Sequence, residues 1–146
     1  RNEQFIRRTF GRYLSDDRQK IYVRDGWNIT GDSFSQDADG RFHFAARSDD
    51  MILSAGYNIA APEVEAALLS HPDVAECAVI GIADEERGQI VQAHVVPGKG
   101  AMADARTLQD HVKATIAPYK YPRSIVFCSS LPKTESGKIQ RFRLKS

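Results

Sequence analysis

Two apolar, β-branched runs, VAECAVIGI (74–82) and IVQAHVV (90–96), stand on either side of the charged stretch ADEERGQ. Runs this rich in Val and Ile read as strands, and so short a charged connection predicts antiparallel partners. The pair is flanked by two helical patterns. In APEVEAALLSHP, Pro62 suits a first helical position, Val64, Ala67 and Leu68 fall on one face, and His71-Pro72 closes the pattern. DARTLQDHVKATIAPY repeats the spacing through Leu108, Val112, Thr115 and Ile116, then stops at Pro118. MILSA reads as a strand, the following GYNIA as a glycine-containing turn, and RSIVFCSSLP returns to strand. The order after residue 50 is thus strand, helix, strand, strand, helix, strand. That order predicts an α+β fold, a small antiparallel or mixed sheet with helices packed on it.

The first third has a different texture. FIRRTFGRYL has the makings of a short helix interrupted by Gly11. SFSQDADGRFHF alternates aromatic residues on both sides of Asp39-Gly40 and predicts a β-hairpin. ARSDD, small and charged, is the natural boundary between this hairpin segment and the strand-helix unit that begins near residue 50. A chain of 146 residues, 42% hydrophobic and 27% charged, suffices for one domain carrying an appendage. It begins at Arg1 without an initiator methionine, which suggests a piece of a longer protein or a processed one.

Several function classes are disfavoured. A net charge of +1 argues against nucleic acid or an acidic membrane as partner, and the early arginines (Arg1, Arg7, Arg8, Arg12, Arg18) are interleaved with acids. Cys77 and Cys128 are far apart and lack C-x-x-C spacing, so neither a zinc site nor a disulfide framework is indicated; isolated thiols fit a reducing, cytoplasmic setting. No apolar run approaches the roughly 20 residues that span a bilayer, and no signal peptide opens the chain. DADGR has the start of a calcium loop but no glutamate at the required spacing, so a turn is the better reading. The four histidines, His43, His71, His94 and His111, show no ligand spacing. There is neither a G-x-S-x-G elbow nor a G-x-x-x-x-G-K-[ST] phosphate loop.

Three stretches remain. WNITGDSF places Asp32 after Thr30-Gly31, where a carboxylate can accept two vicinal ribose hydroxyls. ARSDDMILSAGYNIAAPEVE holds Arg47, Asp49 and Gly56, and LPKTESGKIQR holds Lys138 on a turn-rich stretch from which a lysine can be delivered to a negatively charged centre. Each alone has a plain reading: a turn aspartate, a surface arginine, a solvated lysine.

In this order and spacing, the TGD signature, the R-x-D-D-x-I hinge, APEVE at a helix start and P-K-T-x-S-G-K-I-x-R resemble the adenylate-forming (ANL) superfamily of acyl-CoA synthetases, peptide-synthetase adenylation domains and luciferases. The resemblance runs from about Trp27 to Leu144. SAGYNIAAPEVE and APYKYPR look most similar to CoA ligases for benzoate-type or 2-aminobenzoate-type acids.

The resemblance implies a two-step ligase. A carboxylic acid attacks the α-phosphate of Mg²⁺-ATP, giving an acyl-adenylate and pyrophosphate; coenzyme A then displaces AMP. Residues 1–48 would be the terminal, β-rich piece of a large N-terminal domain, and 49–146 the mobile C-terminal domain that works against it. Asp32 and Arg47 would bind nucleotide, Asp49 would be the hinge, and Lys138 would serve the first step. Gly56 and Tyr57 would flank coenzyme A in the second. The phosphate loop and acyl pocket of the family lie in the large domain, so the chain alone is not expected to be active. A carrier-protein thiol in place of coenzyme A, or a non-catalytic interaction module of the same fold, are the alternatives. Two departures stand out. Ala46 occupies a common glycine position, and Leu53-Ser54 follows DDMI where many relatives carry lysine, which weakens any coenzyme A contact there. Arg87 reads either as a further coenzyme A contact or as a solvated hairpin charge.

Overall fold

The computed structural model describes residues 3–8, 23–24 and 27–145. The chain forms two compact units, Arg1–Asp49 and Asp50–Ser146.

In the first unit, β1 (Glu3–Arg8), β2 (Val23–Arg24), β3 (Trp27–Gln36) and β4 (Phe42–Arg47) make an antiparallel sheet built on β3. β1 pairs along β3 from Arg8↔Trp27 to Glu3↔Phe34, so residues 5–8 of FIRRTFGRYL are strand rather than helix. Pairing along the long β3 overrides a weak local helical preference. The rest of that stretch, with Gly11, lies outside the described residues. The hairpin read in SFSQDADGRFHF is present as β3 and β4, and its turn explains the DADGR acids. Asp37 Oδ1 accepts the N–H groups of Asp39 (3.0 Å) and Arg41 (2.8 Å), while its Oδ2 lies 2.9 Å from His43 Nε2.

The second unit carries β5 (Met51–Ser54), β6 (Tyr57–Ala60), α1 (Ala61–Leu69), β7 (Val74–Asp84), β8 (Gly88–Pro97), α2 (Ala105–Thr115) and β9 (Ser124–Phe127). Its sheet has the order β6-β5-β8-β7, with β9 parallel to β8 and the other pairs antiparallel. The fold is α+β, as the element order predicts. β7 and β8 pair from Val74↔Pro97 to Asp84↔Gly88 and are the backbone of the unit. GYNIA is more than a turn: only Ala55-Gly56 turns, and Tyr57 onward is strand, because Ile59 is drawn into the core opposite Ile52.

The core joins Ile52 and Ile59 to Val64 and Leu68 of α1, Val79, Val91 and Val95 of the central strands, and Leu108 and Val112 of α2. Burying side chains of this size contributes about 1.5–3 kcal/mol each. Val64, Ala67 and Leu68 face inward as their spacing requires. α1 stops at Leu69, two residues before His71; the Ser70 hydroxyl turns back to donate to the Ala67 carbonyl (2.7 Å), a local bond that competes with helix continuation. On α2, Thr115 is exposed and gives its hydroxyl to the His111 carbonyl (2.8 Å), so Leu108 and Val112 are that helix's buried residues. Among the described residues no helix is long and apolar enough to cross a membrane.

Candidate functional site: the lysine loop and its neighbours

After β9 the chain enters the segment that holds Lys138. Leu131 is buried and fixes its start. From there the backbone closes on itself. Lys133 bridges Ile139, Thr134 N–H donates to the Lys138 carbonyl (2.8 Å), Gly137 N–H to the Thr134 carbonyl (2.9 Å), and Gln140 N–H to the Pro132 carbonyl (2.8 Å). The Thr134 hydroxyl accepts from Lys138 N–H at 3.1 Å. Gly137 has φ +81°, a region that side chains disfavour. The glycine before the lysine is therefore what closes the turn, and Lys138 stands exposed directly after it, opposite Thr134. The segment is a small, self-bonded hairpin rather than a pliable tether.

Both legs of this hairpin are fastened. Lys133 Nζ lies 2.7 Å from a Glu76 oxygen on β7, an exposed pair of small energetic weight. Arg141, on the other leg, is more deeply held. Its Nε and Nη2 meet Glu65 Oε1 at 3.1 and 2.9 Å, Nη2 meets Oε2 at 2.8 Å, and Nη1 lies 3.5 Å from Asp50. Glu65 Oε1 also accepts the Val79 N–H at 2.9 Å, so α1, β7 and the lysine hairpin share one carboxylate. The Cys77 thiol sits beside this network, and burial first, then the Glu65 charge, push it up to about 12, with Arg141 pulling the other way.

Gly56 lies at the tip of the β5–β6 hairpin. Ala55 (φ +49°) and Gly56 (φ +81°) are both left-handed, as in a two-residue type I′ turn. Nothing lies within 4 Å of where a Cβ on Gly56 would be, so the tip is open. The turn and its first strand are tied to the β7–β8 hairpin: Ala55 N–H donates to the Arg87 carbonyl (2.9 Å), and Leu53 N–H to Gln89 Oε1 (3.1 Å). The Tyr57 ring stacks on Tyr119, with centroids 4.5 Å apart, and neighbouring Lys120 is bonded to both Glu63 oxygens at 2.6 and 2.7 Å. The segment APYKYPR thus lies against this hairpin.

In the first unit, Asp32 on β3 and Arg47 on β4 are cross-strand partners. A Cβ on Gly31 would come within 3.4 Å of Arg47 Nη2, so the guanidinium passes over the glycine of TGD. Asp49 lies in the 3-10 turn Ser48–Asp50 that links β4 to β5. The structure therefore brings Asp32 together with Arg47, and Gly56 with Tyr57. Lys138 stands on a separate loop of the second unit.

Sequence reasoning missed Tyr119, Gln89 and the Glu65–Arg141–Asp50 network. Glu65 sits inside APEVE and Arg141 closes P-K-T-x-S-G-K-I-x-R, but 76 positions separate them and no spacing rule pairs residues so distant.

Comparison with known proteins gives the class. The AMP-binding enzyme C-terminal domain model matches residues 63–138. An uncharacterized acyl–CoA ligase YtcI of Bacillus subtilis (strain 168) is 48% identical over 140 residues, 93% of this chain and 26% of that protein. The mitochondrial acyl-coenzyme A synthetase ACSM3 of Mus musculus is 47% identical over 128 residues, 84% of this chain and 22% of that protein. Among solved structures, o-succinylbenzoate CoA synthetase from Bacillus subtilis in complex with the acyl-adenylate intermediate superposes with a TM-score of 0.81 at 36% identity, covering 92% of this chain and 28% of that one. ATP-bound MatB from Rhodopseudomonas palustris gives a TM-score of 0.78 at 32% identity, covering 92% and 26%. The chain belongs to the family of AMP-binding enzyme C-terminal domains, within the ANL superfamily. It spans about a quarter of the length of the curated relatives it matches.

Proposed function

We propose that this chain is the C-terminal part of an AMP-forming acid–CoA ligase. Its substrates are a carboxylic acid, ATP with Mg²⁺, and coenzyme A; its working partner is its own large N-terminal domain. The acid is an aromatic one of benzoate type, a reading supported by SAGYNIAAPEVE and APYKYPR and by the likeness to a synthetase named for o-succinylbenzoate. Residues 1–48 belong to the end of the large domain and 49–146 form the mobile one. The enzyme is cytoplasmic, which the free thiols Cys77 and Cys128 suit. The chain alone does not adenylate.

In the first step the acid attacks the α-phosphate and pyrophosphate leaves. Negative charge concentrates between the carboxylate and the phosphate, and the ammonium of Lys138 offsets it there. Asp32 accepts the ribose hydroxyls, and Arg47 adds a ribose or phosphate contact. Mg²⁺ comes with the ATP phosphates; among the described residues no three His, Cys, Asp or Glu side chains group as metal ligands. For the second step, backbone rotation at Asp49 withdraws Lys138 and brings in the Gly56 tip. With no side chain at 56, the pantetheine arm passes close to the backbone, and Tyr57 flanks it.

The observation that carries the proposal is the exposed Lys138 beside the turn of a hairpin whose backbone is closed by its own hydrogen bonds. The test is pyrophosphate release by the full-length enzyme with benzoates and fatty acids, for wild type and Lys138→Ala. Aryl acids are expected to drive release. The variant is expected to lose about 10²- to 10³-fold in this step while still converting supplied acyl-adenylate to acyl-CoA. A variant as active as wild type ends the role given to Lys138; release only with fatty acids ends the aromatic assignment. Acyl transfer to a carrier protein but not to coenzyme A would move the second step to a carrier thiol. Wild type inactive with every acid would favour a non-catalytic interaction module.

A further inference from the structure

Of the two ion pairs that fasten the lysine hairpin, the one at Arg141 is the more buried, and it joins three parts of the second unit. Glu65 and Asp50 side chains are 13% and 16% exposed and Arg141 is 26% exposed, against 39% and 42% for the Lys133–Glu76 pair on the other leg. The guanidinium binds Glu65 through two nitrogens, the geometry that fixes a planar group in direction as well as distance. Glu65 is itself oriented by the Val79 N–H of the central strand. Asp50, the third member, is the first residue of the second unit and follows Asp49 directly. Arg141 lies three residues after Lys138, with only Ile139 and Gln140 between, and both of these are held: Ile139 by the Lys133 bridge, Gln140 by the Pro132 carbonyl.

We infer that Arg141 is a positioning residue, clasped by Glu65 and Asp50 so that Lys138 turns with the rigid body of the domain instead of moving on its own loop. The inference rests on the role proposed for Lys138. A lysine carried on an unanchored loop would sample many positions; one carried on a hairpin tied to α1, β7 and the first residue of the unit arrives in one. Misplacement of a catalytic group by about 1 Å can cost about 10²-fold in rate. Removing the clasp is therefore expected to affect the step that uses Lys138 and spare the step in which Lys138 is withdrawn.

The experiment uses the full-length enzyme and measures two rates separately: pyrophosphate release from acid and ATP, and acyl-CoA formation from supplied acyl-adenylate. Arg141→Ala is expected to slow the first by about 10²-fold, in kcat rather than in KM for ATP, and to leave the second near wild type. Arg141→Lys, which keeps the charge but loses the fork, is expected to fall between. Glu65→Gln, which keeps the size of the side chain and an acceptor for the Val79 N–H, is expected to show the same selective loss without unfolding. Lys138→Ala/Arg141→Ala is expected to be no slower in the first step than Lys138→Ala alone, since a positioning residue has nothing left to position. Equal loss of both rates in Arg141→Ala and Glu65→Gln, or a further drop in the double variant, overturns the inference and leaves the role of Lys138 standing. Full activity of Lys138→Ala in the first step instead removes the functional reading, and the inference with it.

Discussion

Ala55 occupies a left-handed backbone at φ +49° in the turn that presents Gly56. A side chain there places its Cβ against the following carbonyl, at a cost of about 1–2 kcal/mol, and the two-residue hairpin offers no other backbone because both central positions of a type I′ turn are left-handed. Ala55→Gly removes that strain, while the freer unfolded chain returns part of the gain. The expected outcome is a stabilisation of about 0.5–1 kcal/mol, read as a rise in the denaturant midpoint with unchanged slope. Gly56→Ala is expected to do the opposite without any clash, since the space around it is open.

At the scale of elements, the loop before α2 is held by two aspartates. Asp73 Oδ2 accepts the N–H groups of Met102 (3.0 Å) and Ala103 (2.8 Å), and Asp104 Oδ1 caps α2 by accepting from Thr107 N–H (2.8 Å). These bonds favour the ionised forms. The Met102 and then Ala103 amides hold Asp73 below its ordinary value of 3.8, and the Thr107 amide and hydroxyl do the same for Asp104. Both carboxyls are thus more acidic folded than unfolded, and their contribution is complete above 3.8 and fades as pH falls through the lower folded values. Acid titration of stability is expected to show a loss beginning below about pH 4 that shrinks in Asp73→Asn and again in Asp73→Asn/Asp104→Asn. An unchanged acid limb in the double variant would mean that these carboxyls do not set it.

For the whole molecule, the distribution of core residues matters most. The described buried core lies in Asp50–Ser146, whereas on β4 of the first unit the side chains of Phe42 and Phe44 are exposed. Strands that leave large apolar side chains exposed open at lower free energy than strands in a packed core, even where their ladders are complete. Amide exchange is expected to be faster across β3 and β4 than across β7 and β8. Equal protection of the two pairs would count against this, and would mean that the first unit holds together without the large domain to which we assign it.

The elements whose periodicity was strong were determined by the sequence alone. β7 and β8 followed from two Val- and Ile-rich runs around a charged turn, the buried face of α1 from Val64, Ala67 and Leu68, and the β3–β4 hairpin from aromatic alternation around Asp39-Gly40. Lys138, Asp32 and Gly56 were legible as site candidates because each sits in a short local motif. Tertiary structure decided the rest. Residues 5–8 became strand because β3 offered an edge, β9 took a parallel place beside β8, and GYNIA became strand as Ile59 entered the core. The clasp between Arg141 and Glu65 and the stacking of Tyr57 on Tyr119 likewise join residues with no local relation. Local propensity and periodicity act over a few residues, whereas cross-strand pairing and ion pairs over long separations exist only once the chain has folded around its core.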